Sequence, residues 1–108
     1  MAIPFKIIEL DRPYKLRFGM ETTLEFEEMT GKTIADLDEG NFDITAILKG
    51  LWIMMRRENE NLTLKDVSRL VDEHAPSMGY VVKITVEAMK ASYRFDDPNA
   101  PKPNKESE

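Results

Sequence analysis

Over the first eighteen positions, apolar and polar residues tend to alternate. The segment PYKLRF at 13–18 sets Tyr14, Leu16 and Phe18 against Lys15 and Arg17. That period of two predicts a strand with one buried face. IPFKIIEL at 3–10 alternates less regularly, and its Pro4 suits a strand start or a sheet edge. Asp11, Arg12 and Pro13 supply the turn between them. A two-stranded ribbon is marginal alone, so its apolar face needs helices to rest on.

From Glu21 the period changes. ETTLEFEEMTG carries acids early, where the positive end of a helix dipole favours them, and closes on Gly31, a good left-handed terminator. Thr33 to Leu37 predicts one further helical turn, and DEGN at 38–41 a loop. The densest apolar run follows, ITAILKGLWIMM at 44–55, with Asp43 placed to cap it. At about 100° per residue, Ile44, Ile47, Leu48, Leu51, Trp52, Met54 and Met55 share one arc. Lys49, Arg56 and Arg57 hold the other side, with Ile53 alone among them. This predicts a central core helix ending at Arg56 and Arg57. Thr63-Leu64-Lys65-Asp66 has the spacing of a capping box. The helix it opens places Leu64, Val67, Leu70, Val71 and Ala75 on one face. Pro76 ends that helix, and Ser77 can cap the next.

The last element reads two ways. YVVKITVE at 80–87 alternates like a strand rich in β-branched residues, yet it runs unbroken into EAMKASYRF, which contains strong helix formers. Its length favours a helix from Met78 to about Arg94. Such a helix carries two apolar stripes: Met78, Val82, Val86, Met89 and Tyr93 on one side, and Val81, Ile84, Ala88, Ala91 and Phe95 nearly opposite. Few segments remain to cover both, and each large side chain left in water forgoes about 1.5–3 kcal/mol. The pattern therefore predicts a partner or self-association; the alternative is that the ribbon and first helix cover the second stripe. DDPNAPKPNKESE at 96–108 has three prolines and no apolar cluster, so it predicts a disordered tail. The expected fold is α+β and mainly α-helical: an N-terminal two-stranded β-hairpin packed on about four helices, one domain over 1–95, then a Pro-rich tail.

Composition narrows the chemistry. The 108 residues, 42% hydrophobic and 32% charged, suit one domain with one core. A net charge of -5 disfavours nucleic acid as a partner. Without cysteine there is no disulfide framework and no cysteine metal site. No apolar stretch approaches the ~18 residues of a membrane span, and MAIPFKIIELDR lacks the features of a secretory signal. A cytosolic protein is the simplest account. The single histidine, His74, reads as a helix-end residue, and Glu27-Glu28 and Asp36-Asp38-Glu39 lack EF-hand spacing. Neither a Gly-rich phosphate loop nor G-x-S-x-G occurs. The expectation is a non-enzyme with no catalytic residues, cofactor or metal.

The order of segments carries a resemblance. PYKLRFGM, then TLEFEEMTGKTIADL, an apolar helix containing GLW, and ENLTLKDVSRLVDE together resemble the tail assembly chaperones of long-tailed bacteriophages. The similarity spans about residues 6–93. Its most specific part is L-x-x-x-E-x-x-x-G-K-x-x-x-x-L, met here by Leu24, Glu28, Gly31-Lys32 and Leu37 with one residue fewer between Glu28 and Gly31. The resemblance implies a non-enzymatic assembly factor in the cytoplasm of the infected host. Such proteins keep the hydrophobic, helical tape measure protein soluble until tail tube subunits polymerise around it, and are absent from the mature virion. Many exist in two lengths through a ribosomal frameshift, and the 96–108 segment is compatible with such a joint. Trp52, Ile53, Met54, Val81, Ile84 and Phe95 are the candidate contact surface, since methionine-rich apolar surface adapts to varied partners. The tail tube protein is a second candidate partner, and a homo-oligomer a further one.

Two other readings compete. A structural head–tail virion protein would look equally acidic and helical. A helix-turn-helix regulator could span residues 62–90. Its turn lacks the usual glycine, and MGYVVKI at the start of its second helix offers one cation and no Asn, Gln or Arg to read bases.

Overall fold

Residues 13–18 do turn alternate side chains inward. In a computed structural model, which describes residues 4–91, strands β1 (Lys6–Glu9) and β2 (Pro13–Leu16) form an antiparallel hairpin. Its register pairs Ile8 with Tyr14 and Lys6 with Leu16. Ile8, Tyr14, Leu16 and Phe18 are buried, while Lys15 and Arg17 are exposed. The Tyr14 hydroxyl donates to the Asp11 carboxylate across the turn (2.7 Å), which holds that carboxyl below its ordinary pKa.

Among the described residues five helices follow: α1 (Met20–Thr30), α2 (Ile34–Asp38), α3 (Ile44–Met55), α4 (Leu64–His74) and α5 (Met78–Ala91). The fifth, beyond the about four expected, is the short turn α2. Gly31 ends α1 with φ 72°, a left-handed conformation that a side chain would strain. Asp43 caps α3 by accepting from the Ala46 N–H (2.8 Å). Capping boxes open α2 and α4, with Thr33 and Asp36 in one and Thr63 and Asp66 in the other. Ser77 accepts the Tyr80 N–H at the start of α5 (3.1 Å). The ambiguous segment 80–87 is helical throughout. The tail at 96–108, with Tyr93 and Phe95, lies outside the described residues.

Helix α3 is central and packs against β2, α1, α4 and α5. Its buried face is rotated from the sequence expectation. Ala46, Gly50 and Ile53 are buried, whereas Ile44 is exposed and Leu48 and Trp52 are half-buried. The cause is the approach of α1. A Cβ at Gly50 would lie 3.4 Å from the Phe26 ring and 3.2 Å from the Met89 side chain, so the small residues of α3 mark where its neighbours come closest. Phe26 in turn stacks on Phe42 (centroids 5.2 Å apart) and meets Phe18 edge-on (5.8 Å).

The two stripes of α5 are also reconciled by packing. The adjoining edges of the two stripes, Met89 of the first and Val81 and Ala88 of the second, are buried together with Thr85 between them. Helix α3, strand β1 and the short α2 all pack against α5. Ile84 and Val86 are half-buried against the core. The expected uncovered stripe is therefore absent among the described residues: the ribbon and the short α2 supply the missing lining.

Three outcomes follow from this packing. Gly50→Leu overpacks the α1–α3–α5 junction and lowers stability by about 1–3 kcal/mol. Gly79→Ala, whose added methyl meets nothing closer than Ser77 Oγ at 3.8 Å, raises stability by about 0.4–1 kcal/mol; a urea titration measures both changes. The Thr85 hydroxyl is buried with no hydrogen-bond partner, so Thr85→Val raises the denaturation midpoint, by about 1 kcal/mol in free energy. Asp66 has its pKa lowered by the Thr63 backbone N–H and hydroxyl. A depressed carboxylate stabilises the fold above its unfolded pKa, near about 3.9, and that contribution vanishes as pH falls through the folded value. Asp66→Asn thus melts lower than wild type at pH 7, and the gap narrows in acid.

Candidate interaction surface

The residues that the sequence nominated for partner contact divide sharply. Ile53, Met54 and Val81 are 0–1% exposed and belong to the core, which corrects their assignment to a surface. Ile53 lies on the side of α3 that α1 approaches, and Val81 sits on the inward line of α5. Trp52 and Ile84 are half-buried and packed against the core. Phe95 lies outside the described residues. The six do not form one exposed patch.

Trp52 has a structural task. Its indole Nε1 donates to the Leu62 carbonyl (2.9 Å), pinning the α3–α4 connection. The Arg56 guanidinium lies over the ring at 4.5 Å and pairs with Glu25 of α1. One indole thereby ties a loop to α3 and, through Arg56, to α1.

The large apolar side chains that do face solvent lie elsewhere. Met20 is 67% exposed and Leu24 61%, one turn apart on the outer side of α1. Glu28 continues the same line and is exposed. Phe5 just before β1, Ile44 on α3 and Met78 on α5 are also exposed. Helix α1 turns Thr22, Thr23 and Phe26 inward. Its Thr23 hydroxyl donates to the Gly19 carbonyl (2.7 Å), and Arg57 approaches both Thr22 Oγ1 (3.4 Å) and Glu21 (3.5 Å). The sequence of α1 does not say which side is inward. Met20 and Leu24 stand on one face, Phe26 and Met29 nearly opposite, and the aromatic contacts of Phe26 decide the rotation.

This placement bears on the L-x-x-x-E and G-K pattern. Gly31 and Leu37 serve the fold, one as a helix terminator and one as a buried side chain. Lys32 Nζ donates to the Asn41 carbonyl (3.1 Å), bracing the α2 loop. Leu24 and Glu28 are exposed among the described residues.

His74 is exposed near Glu73 (3.8 Å). Among the described residues, no three His, Asp or Glu side chains gather as a metal site, and no helix is long and apolar enough to cross a membrane. No family model, curated protein or solved structure matches this chain.

Proposed function

We propose that the chain is a tail assembly chaperone of a long-tailed bacteriophage, binding the hydrophobic tape measure protein and holding it in solution before the tail tube polymerises. The observation that carries this reading is the exposed line Met20, Leu24 and Glu28 on α1. It includes two positions of the resembling pattern, Leu24 and Glu28, that are exposed among the described residues. A leucine and a methionine one turn apart can seat an apolar helical client in groove fashion, and methionine adapts to clients of varied shape. Glu21, Glu27 and Glu28 border the pair with carboxylates, which help keep coated client particles apart in solution. On this reading the protein works in the host cytoplasm and leaves before the virion matures.

Co-expression with the long helical tape measure product tests it. The wild-type chain is expected to render that product soluble and to co-purify with it. Met20→Ser with Leu24→Ser, both at exposed positions, keeps the circular dichroism and melting temperature of the wild type but loses co-purification. Wild-type failure to solubilise the client, or abundant copies of the chain in purified particles by mass spectrometry, overturns the proposal.

A further inference from the structure

Helix α5 lies along β1 and α3 packs against β2, but among the described residues only the β1 edge of the hairpin has its outward backbone hydrogen-bonded. The Glu9 N–H donates to the Tyr80 hydroxyl of α5 (2.9 Å), so it points away from β2. Glu9 and Pro13 are thus a non-hydrogen-bonded pair, as the missing N–H of proline requires. Pairing alternates along an antiparallel ladder, so Ile7 and Lys15 form the next such pair. The Lys15 N–H and C=O then also point outward, away from β1. Helix α5 lies on β1. No strand pairs with β2 on its far side among the described residues.

Beside β2 lies a groove of about 210 Å³, lined by Lys15, Arg17, Met54, Arg57 and Glu58. Lys15 both lines it and carries the free backbone pair. Lys15 Nζ and the Arg17 guanidinium stand 5.1 and 5.2 Å from the centre of the same exposed ring, Phe5. No carboxylate among the described residues pairs with either. Glu58, the acid in the lining, lies 3.8 Å from Arg12. A chain with net charge -5 therefore gathers three cations around an open strand edge.

We propose that this edge and groove dock an extended acidic segment of a partner polypeptide as a third strand. Its carboxylates would fall at alternate positions, in the pattern Asp/Glu-x-Asp/Glu. The backbone of the segment pairs with Lys15, as in strand addition generally. Lys15 and Arg17 are two residues apart on one face, so acids two apart on the added strand stand opposite them. A second copy of this chain is a poor occupant, because edge-to-edge pairing would set these cations against each other. The inference stands apart from the chaperone reading, since it uses neither Met20 nor Leu24.

The test is fluorescence anisotropy of the full chain with three labelled β-prone peptides. One carries Glu at alternate positions, one has the same composition with the Glu residues grouped, and one has Gln in their place. The alternating peptide is expected to bind and to protect the Lys15 amide from hydrogen exchange. It should weaken about tenfold in Lys15→Glu/Arg17→Glu and also in about 0.5 M salt. Arg57→Gln, which leaves the strand untouched, weakens it less. No binding, equal binding of the grouped peptide, an unprotected Lys15 amide, or equally tight binding of single-stranded DNA would each overturn the proposal.

Discussion

Gly50 has no side chain, and that absence lets three elements meet at one point. The Phe26 ring from α1 and the Met89 side chain from α5 both lie within contact distance of where a Cβ would stand. Close-packed interiors have few voids, so a methylene added here must displace a neighbour. Because α1 can come this near, it covers Ala46 and Ile53, and α3 becomes buried around more of its circumference than its apolar arc suggests. The hairpin, α4 and α5 take the remaining sides of the same helix. The architecture is a set of amphipathic pieces, each too small to stand alone, arranged around one apolar axis.

Polar contacts hold the joints between these pieces. Trp52 pins the α3–α4 connection through the Leu62 carbonyl, and Arg56 links that indole to Glu25 of α1. The Tyr80 hydroxyl joins α5 to the Glu9 amide, residues 71 positions apart. Each satisfies a group at an element boundary, where an unpaired donor or acceptor would otherwise be costly. Thr85 is the exception: its hydroxyl sits unpartnered within the face that α5 turns to the core. The fold tolerates one buried orphan there, with Val81, Ala88 and Met89 filling the rest of that face.

With the core closed, functional meaning moves to the surface. The apolar line on α1 and the cationic edge of β2 are different in chemistry. They adjoin where Arg57, a groove residue, reaches Glu21 and Thr22 in the first turn of α1. The first is the surface proposed above for an apolar helix, and the second the one proposed for an extended acidic strand. If both proposals hold, the two neighbouring surfaces can engage two parts of one partner, or two partners together.

The sequence by itself determined the elements and several helix ends, because those depend on near neighbours in the chain, while the strands came out shorter than their alternation suggested. Alternation over 13–18 marked the strand, Gly31 the end of α1, Thr63 with Asp66 the start of α4, and the length of the run from Met78 chose helix over strand. The axial place of α3 was also legible, from its apolar density. Tertiary structure alone decided which way each helix is turned. The rotation of α3 depends on small residues, Ala46 and Gly50, that weigh little in a hydrophobic pattern but set distances of approach. That of α1 depends on Phe26 finding Phe18 and Phe42, residues on other elements. For that reason Ile53, Met54 and Val81, apolar and open in the linear reading, are interior, and the exposed pair Met20 and Leu24 came into view only in three dimensions.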